Sequence, residues 1–87
     1  MAQRDPDILR LGIDVGSTTV KAVALDPRSN SVLFTRYQRH NAHQAATVRQ
    51  LLKEAAGRFP DARFRIGVCG SGGRPVAEAL GAGYVQE

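Results

Sequence analysis

The chain has 87 residues, of which 43% are hydrophobic and 23% charged, and its formal net charge is +4. A chain of this size forms one small domain, or part of a larger one, with a thin core. No apolar run approaches the roughly 18 residues of a membrane span, so we expect no membrane partner. Residues 1–7 carry no apolar signal region, and the one cysteine cannot form an internal disulfide. Both features favour a cytoplasmic location.

The positive charge raises the question of a nucleic-acid partner. The twelve lysines and arginines are spread along the chain, and no segment forms a basic stripe. Arg36 and Arg39 flank Tyr37, but on a strand this pattern is typical of a solvated face. We therefore expect no binding to nucleic acid.

The first half of the chain predicts three strands after a disordered terminus at residues 1–7. Strict alternation of apolar residues indicates a strand over residues 8–14. A nearly continuous apolar run indicates a second strand over residues 18–26, in a sheet covered on both faces. Turn-forming residues at 26–31 connect it to a third strand over residues 31–39 as an antiparallel hairpin. The polar end of this third strand indicates the edge of a sheet.

The second half predicts a helix, a strand and a second helix. Apolar residues at helical spacing indicate a helix over residues 42–57, with Asn41 as its N-cap and Gly57 just beyond its end. A strand over residues 63–69 should run parallel to the first strand, because a helical crossover precedes it. A short helix over residues 74–80 and the start of a fifth strand follow.

This order of elements predicts an α/β fold with two helices and a mixed sheet of strand order 3-2-1-4. The loops after strands one and four then lie at the same end of the sheet. Such an arrangement is the first half of a ribonuclease H-like, or actin-like ATPase, domain. We expect residues 8–87 to be the N-terminal subdomain of such a protein, ending before its second half.

The turn after the first strand has the composition of a phosphate-binding loop. Gly16 would let backbone N–H groups approach an anion and would permit unusual torsion angles. Asp14, at the carboxyl end of the strand, is placed to hold the water shell of a Mg²⁺ ion on a bound nucleotide. An ordinary β-hairpin with a polar turn is the alternative. The hydroxyl donors and the positive charge of this segment are Ser17, Thr18, Thr19 and Lys21.

A second glycine-rich loop follows the fourth strand. Three glycines within four residues place flexible backbone and a helix N-terminus at the carboxyl end of a strand, where open α/β sheets bind anionic ligands. The alternative is a plain connecting loop with Pro75 in the first helical turn. The candidate binding residues of this loop are Gly70, Ser71, Gly72, Gly73 and Arg74.

Three other residues carry potentially reactive side chains. His40 and His43 are spaced like a metal-binding pair but lack a third ligand nearby, so we predict a surface or capping role for them. Cys69 is expected to be a buried strand residue and not a nucleophile, because no partnered base is evident.

Three segments resemble a known family in their order and spacing. They are GIDVGSTTVK at residues 12–21, RYQRHN at residues 36–41 and GSGGR at residues 70–74. Together they are similar to the amino-terminal part of 2-hydroxyacyl-CoA dehydratase activases, the benzoyl-CoA reductase activator type of ATPase. The resemblance covers about residues 8–87. The first segment is also shared with other actin-like kinases and ATPases.

This resemblance implies an ATPase that uses Mg-ATP hydrolysis to drive an electron from a [4Fe-4S] cluster into a dehydratase or reductase partner. Asp14 would be the catalytic residue and would hold Mg²⁺ through water. Residues 16–19 correspond to the first phosphate loop, with Lys21 beside it, and residues 70–74 to the loop facing the nucleotide. Many shorter activases have a tyrosine between two glycines where this chain has residues 71–73, Ser-Gly-Gly.

The family's second half provides the other phosphate loop, the adenosine pocket and the cluster cysteines, and the family forms homodimers. This chain contains none of these parts. Its one cysteine, Cys69, does not match the position of a cluster ligand. We therefore expect a homo-oligomer, and we expect the 87 residues alone to lack both turnover and iron. Two alternatives remain open: half of a small-molecule kinase of the same fold, or a non-catalytic interaction module.

Overall fold

The computed structural model describes residues 8–85, and the prediction for residues 1–7 lies outside that part of the chain. It contains five strands and two helices in the predicted order. They are β1 (Ile8–Val15), β2 (Thr19–Leu25), β3 (Val32–Arg39), α1 (Gln44–Arg58), β4 (Arg63–Cys69), α2 (Gly73–Leu80) and β5 (Gly83–Val85).

The five strands form one mixed sheet in the order β3-β2-β1-β4-β5. The central strand β1 pairs antiparallel with β2 and parallel with β4. The predicted order 3-2-1-4 is confirmed, and β5 extends it as a further parallel strand beside β4. The polar strand β3 lies at the edge, as expected.

The core lies on one face of the sheet, under both helices. Residues of β1 alternate between buried and exposed along its whole length, and its buried side chains meet apolar residues of α1 and α2. The core side chains are Leu9, Leu11, Ile13, Val15, Val20, Ala22, Ala24, Val48, Leu51, Ala55, Val68, Val76 and Ala77.

The prediction that β2 is covered on both faces is wrong. Val20 and Ala22 are buried under the helices, but Lys21 is exposed and Val23 only half-buried. A continuous apolar run does not show which of its two faces is covered. Here both helices lie on the same side of the sheet.

The helix-free face carries a row of three glycines across neighbouring strands. Gly12 is in register with Gly67, and Gly67 with Gly83. Asp14 and Lys21 are register partners one row closer to the carboxyl end of β1. The missing side chains leave a shallow concavity of about 490 Å³ on this face. Its lining residues are Gly12, Ile13, Asp14, Lys21, Val23, Gly67, Val68, Cys69 and Val85.

The hairpin between β2 and β3 has the predicted turn chemistry. The N–H of Arg28 donates to the Asp26 carboxylate at 2.8 Å, and Asn30 adopts a left-handed conformation with φ of 59°. On the neighbouring strand, Arg36 donates two hydrogen bonds to Glu54 of α1, at 2.8 and 3.0 Å. This hydrogen bonding lowers the pKa of the Glu54 carboxyl group and raises the pKa of Arg36.

Both predicted caps of α1 are wrong, although the helix begins and ends within two residues of its predicted bounds. Asn41 does not cap the helix but lies in a left-handed turn, and His43 occupies the N-cap position without a side-chain cap bond. The helix also continues through Gly57 to Arg58. Phe59, which follows, makes edge-to-face contacts with two other rings at 6.3 and 6.5 Å. The interaction energy of two such aromatic pairs is sufficient to offset the roughly 1 kcal/mol that a glycine costs within a helix.

Two further observations concern side chains and helices within residues 8–85. Cys69 is half-buried at the end of β4 and not fully buried as predicted. Neither helix in this part of the chain has the length and apolar character needed to cross a bilayer.

A matched pair of substitutions on β1 tests the one-sided core. Ile13 is 2% exposed and Ile8 is 45% exposed. Ile13→Val should lower the free energy of unfolding by about 0.5–1.5 kcal/mol, because it removes a packed methyl group. Ile8→Val should change it little. Urea unfolding followed by circular dichroism measures both values, and equal losses would contradict the assignment of the two faces.

Candidate functional site

The turn between β1 and β2 is held by hydrogen bonds to its carbonyl groups. The N–H of Gly16 donates to the Thr19 carbonyl at 2.8 Å and closes the turn. The Gly16 carbonyl accepts from His40 Nε2 at 3.0 Å and from Gln44 Nε2 at 3.4 Å. The Thr18 carbonyl accepts from the main-chain N–H of His40 at 3.0 Å. Three carbonyl oxygens of this turn are therefore bonded within the protein.

The N–H groups of the same turn are differently placed. Ser17 and Thr18 are exposed, and within residues 8–85 their N–H groups have no hydrogen-bond partner. Because a trans peptide is planar, the N–H of Ser17 points away from the Gly16 carbonyl and hence away from His40. The turn thus presents backbone donors to the outside, which is the arrangement that binds anions.

Gly16 itself contributes space and not a donor. Its N–H is bonded to Thr19, and its φ is not in the left-handed region that the sequence suggested. A Cβ atom at this position would lie 3.2 Å from the Thr19 carbonyl oxygen. The close turn therefore favours glycine for steric reasons.

The second loop, residues 70–73, contacts the end of β1 directly. Gly70 has φ of 95°, and a Cβ there would collide with the Val15 carbonyl and lie 2.5 Å from Asp14 Oδ1. The N–H of Gly72 donates to the Val15 carbonyl at 2.9 Å, and the N–H of Gly73 to the Gly70 carbonyl at 3.0 Å. The two loops therefore meet at the carboxyl ends of β1 and β4.

Gln44 lies where the two loops approach each other. Its side-chain nitrogen donates to Gly16, and a Cβ on Gly72 would lie 2.6 Å from that same nitrogen. Gly72 thus leaves the space that Gln44 occupies. Gln44 is the first residue of α1, so it links this helix to both loops.

Tyr84 supports the second loop from β5. Its hydroxyl donates to the Gly70 carbonyl at 3.0 Å, and the Arg74 guanidinium carbon lies 4.8 Å from the centre of its ring. Arg74 is exposed at the start of α2, as is Ser71 in the loop. The structure therefore places Arg74 against an aromatic ring, next to the loop that it was predicted to serve.

Asp14 is exposed on the helix-free face, next to Gly70 of the second loop. Its register partners are Lys21 on β2 and Cys69 on β4. A single exposed carboxylate suits Mg²⁺, which keeps several waters and takes few protein ligands. Within residues 8–85, no group of three or more His, Cys, Asp or Glu side chains is arranged to hold a metal ion. Asp14 therefore fits an ion held mainly by water and phosphate oxygens.

Three residues of the site were missed from sequence: His40, Gln44 and Tyr84. The predicted surface or capping role is wrong for His40, which is 5% exposed. His43 is exposed. A histidine directly after a strand, within a polar junction, carries no local signal of burial. The partner of His40 is 24 residues away, so only the folded chain shows the contact.

No family model matches the sequence, and no curated protein matches it. Solved structures do match, among them two from Aquifex aeolicus. An Aquifex aeolicus PPX-GPPA enzyme aligns with a TM-score of 0.52 and 14% identity over 92% of this chain and 36% of that chain. The type II variant of the Aquifex aeolicus Ppx/GppA phosphatase aligns with a TM-score of 0.53 and 14% identity, over 91% of this chain and 36% of that chain.

These likenesses show the fold alone, which is a mixed α/β fold with a ribonuclease H-like sheet. The predicted fold class is confirmed. This chain spans 36% of the length of each of the two enzymes.

The contact between the loops predicts different outcomes for alanine at two glycines of the same segment. Gly70→Ala should destabilise the protein by more than about 1 kcal/mol, because it combines a left-handed φ with a collision at the end of β1. Gly67→Ala, where a Cβ meets nothing within 4 Å, should be near neutral. Thermal unfolding of both variants measures the difference. Similar melting temperatures would show that the loop does not sit against Val15.

Proposed function

We propose that this chain binds the phosphate groups of a Mg²⁺-nucleotide at the carboxyl ends of β1 and β4. One observation carries the proposal: the turn after β1, with its exposed backbone donors, meets the loop after β4 there, and the exposed carboxylate of Asp14 lies close to Gly70 of that loop. Open α/β sheets bind anionic ligands at this edge. The actin-like fold is consistent with such a ligand.

The residues of the first loop would bind phosphate in different ways. Ser17 and Thr18 offer exposed N–H groups and hydroxyls, which can donate to phosphate oxygens without rearrangement. Thr19 is half-buried and closes the turn through its carbonyl. Lys21, exposed on β2 opposite Asp14, adds a positive charge at the same end of the sheet.

The second loop would supply the other side of the phosphate site. Its exposed donor is the Ser71 hydroxyl, while Gly72 and Gly73 use their N–H groups to hold the loop against β1 and itself. Arg74 would have to leave the Tyr84 ring to reach a phosphate. A cation–π contact at an exposed site contributes about 0.5–1 kcal/mol, so a phosphate could compete for this side chain.

Asp14 would orient Mg²⁺ through water. When bound, the ion neutralises phosphate charge and stabilises the charge that develops during phosphoryl transfer. The role of Asp14 would then be to hold the hydrated ion by its carboxylate. Its exposure allows it to contact bound water directly.

The finer part of the proposal is that the chain belongs to an ATPase that activates a 2-hydroxyacyl-CoA dehydratase or a related CoA-ester reductase. The resemblance of residues 12–21, 36–41 and 70–74 supports it. A [4Fe-4S] cluster takes four thiolates, and this chain has one cysteine. Its residues do not fit a cluster, so electron transfer would depend on other parts of such a protein. The dehydratase partner and the homodimer belong to this finer proposal as well.

Replacing Asp14 by asparagine should separate metal from phosphate binding. The affinity for Mg·AMP-PNP, a non-hydrolysable ATP analogue, should fall by about tenfold, the equivalent of 1.4 kcal/mol. In EDTA the affinity for AMP-PNP should be unchanged or higher, because a carboxylate that repels phosphate has been removed. Because this chain contacts the ligand from one side only, we expect millimolar affinity. Titrations followed by amide NMR shifts measure both values in that range.

Asp61→Asn is the matched control. Asp61 is an exposed aspartate in the turn between α1 and β4, at the opposite end of β4 from the loops. It should behave like the wild type in both conditions. An equal loss of affinity with and without Mg²⁺ in Asp14→Asn would refute the role in metal binding.

A further inference from the structure

His40 is fully bonded although it lies in a connecting segment. Its main-chain N–H donates to the Thr18 carbonyl, and its carbonyl accepts from the N–H of His43 at 2.8 Å. Its ring nitrogens contact the Gly16 carbonyl and the N–H of Ala42, each at 3.0 Å. With 5% of its surface exposed, the side chain is held on every polar atom.

These contacts determine the tautomer of the ring. A main-chain N–H can only donate, so Nδ1 must accept the hydrogen bond from Ala42. In the neutral imidazole the single proton then lies on Nε2, which donates to the Gly16 carbonyl. The neutral ring therefore accepts one hydrogen bond, from Ala42, and donates the other, to Gly16.

The two residues after His40 both have left-handed backbone conformations, which asparagine tolerates and alanine does not favour. Asn41 and Ala42 have φ of 49° and 67°, and Ala42 has no side-chain group that would stabilise the left-handed region. This turn brings the N–H of Ala42 to the imidazole. The strained segment and the ring thus hold each other in place.

The orientation of the turn between β1 and β2 follows from the contacts of His40 and from peptide geometry. His40 holds two carbonyls of the turn, that of Gly16 through its ring and that of Thr18 through its main chain. A planar trans peptide places the Ser17 N–H opposite the Gly16 carbonyl. Fixing this carbonyl inward therefore fixes the Ser17 N–H outward.

We propose that His40 is a positioning residue that, through its neutral Nε2–H tautomer, orients the Gly16–Ser17 peptide so that the Ser17 N–H faces a bound phosphate. This inference rests on the proposed function and deepens it, because it assigns the orientation of the donor to one side chain. Gln44 is a second and weaker donor to the same oxygen, at 3.4 Å.

Two substitutions separate the two nitrogens of the ring. His40→Gln places an amide NH₂ near the position of Nε2 and lacks the acceptor for Ala42. His40→Asn places an amide oxygen near the position of Nδ1 and is too short to reach Gly16. His43→Asn is the matched control, because it makes the same chemical change at an exposed neighbour.

His40→Asn should weaken Mg·AMP-PNP binding by about five- to tenfold while retaining the circular dichroism spectrum of the wild type. His40→Gln should bind within about twofold of the wild type, although it unfolds at a lower temperature, because it retains the bond to Gly16 and loses the bond to Ala42. His43→Asn should match the wild type in affinity, and its unfolding temperature should not fall, because asparagine is a favoured residue at the N-cap position that His43 occupies. Equal affinities for His40→Asn and His40→Gln, whether both high or both low, would overturn the proposal.

A ligand-free measurement keeps this inference distinct from the proposed function. Long-range ¹H–¹⁵N NMR spectra of the imidazole should show the Nε2–H tautomer, and the Ser17 amide should become more mobile in His40→Asn but not in His40→Gln. A wild type that shows these signatures but binds no Mg·AMP-PNP would refute the nucleotide and leave the positioning of the turn established. An Nδ1–H tautomer would overturn the role of His40 whatever the ligand result.

Discussion

The hydrogen bonding of β1 on both of its edges is the constraint on which the rest of the structure depends. This strand pairs with β2 on one side and with β4 on the other, and no other strand contributes as many residues to the core. Its alternation places apolar side chains under the helices and leaves Gly12 and Asp14 on the opposite face. The candidate site lies at the carboxyl end of this strand, where the turn after β1 and the loop after β4 meet.

Parallel pairing of β1 and β4 brings together loops that are more than fifty residues apart in sequence. Parallel strands present their carboxyl ends at the same edge, so the turn after β1 and the loop after β4 become neighbours. Several left-handed residues lie close to this edge: Gly70 in the loop, and Asn41 and Ala42 in the segment that holds His40. Strained backbone of this kind persists where surrounding contacts determine it, and it is common at functional sites.

The one-sided core determines which face of the sheet is open to a ligand. With the helices on one face, the opposite face exposes a trough of three glycines, with Asp14 and Lys21 among the residues that line the concavity. The side chain that would contact a metal ion therefore projects to the open side of the sheet, while the two loops are held from the covered side by Gln44 and Tyr84. The residues that hold the loops therefore lie on one side of the sheet, and the face open to a ligand lies on the other.

Much of the fold was determined by local sequence patterns. The alternation in β1, the turn chemistry at Asp26 and Asn30, and the helical spacing of apolar residues in α1 each depend on neighbours within a few residues, and each predicted its element. The strand order followed from these elements, because crossover handedness and hairpin pairing leave few alternatives.

The tertiary structure alone decided which polar groups hold the site. The bonds from His40 and Gln44 to Gly16 span 24 and 28 residues, and the bond from Tyr84 to Gly70 spans 14. Local patterns of hydrophobicity and turn chemistry contain no information about such pairs. The same reason explains the errors at α1 and β2. The helix start was set by the turn around His40, and the covered face of β2 by where the helices cross the sheet.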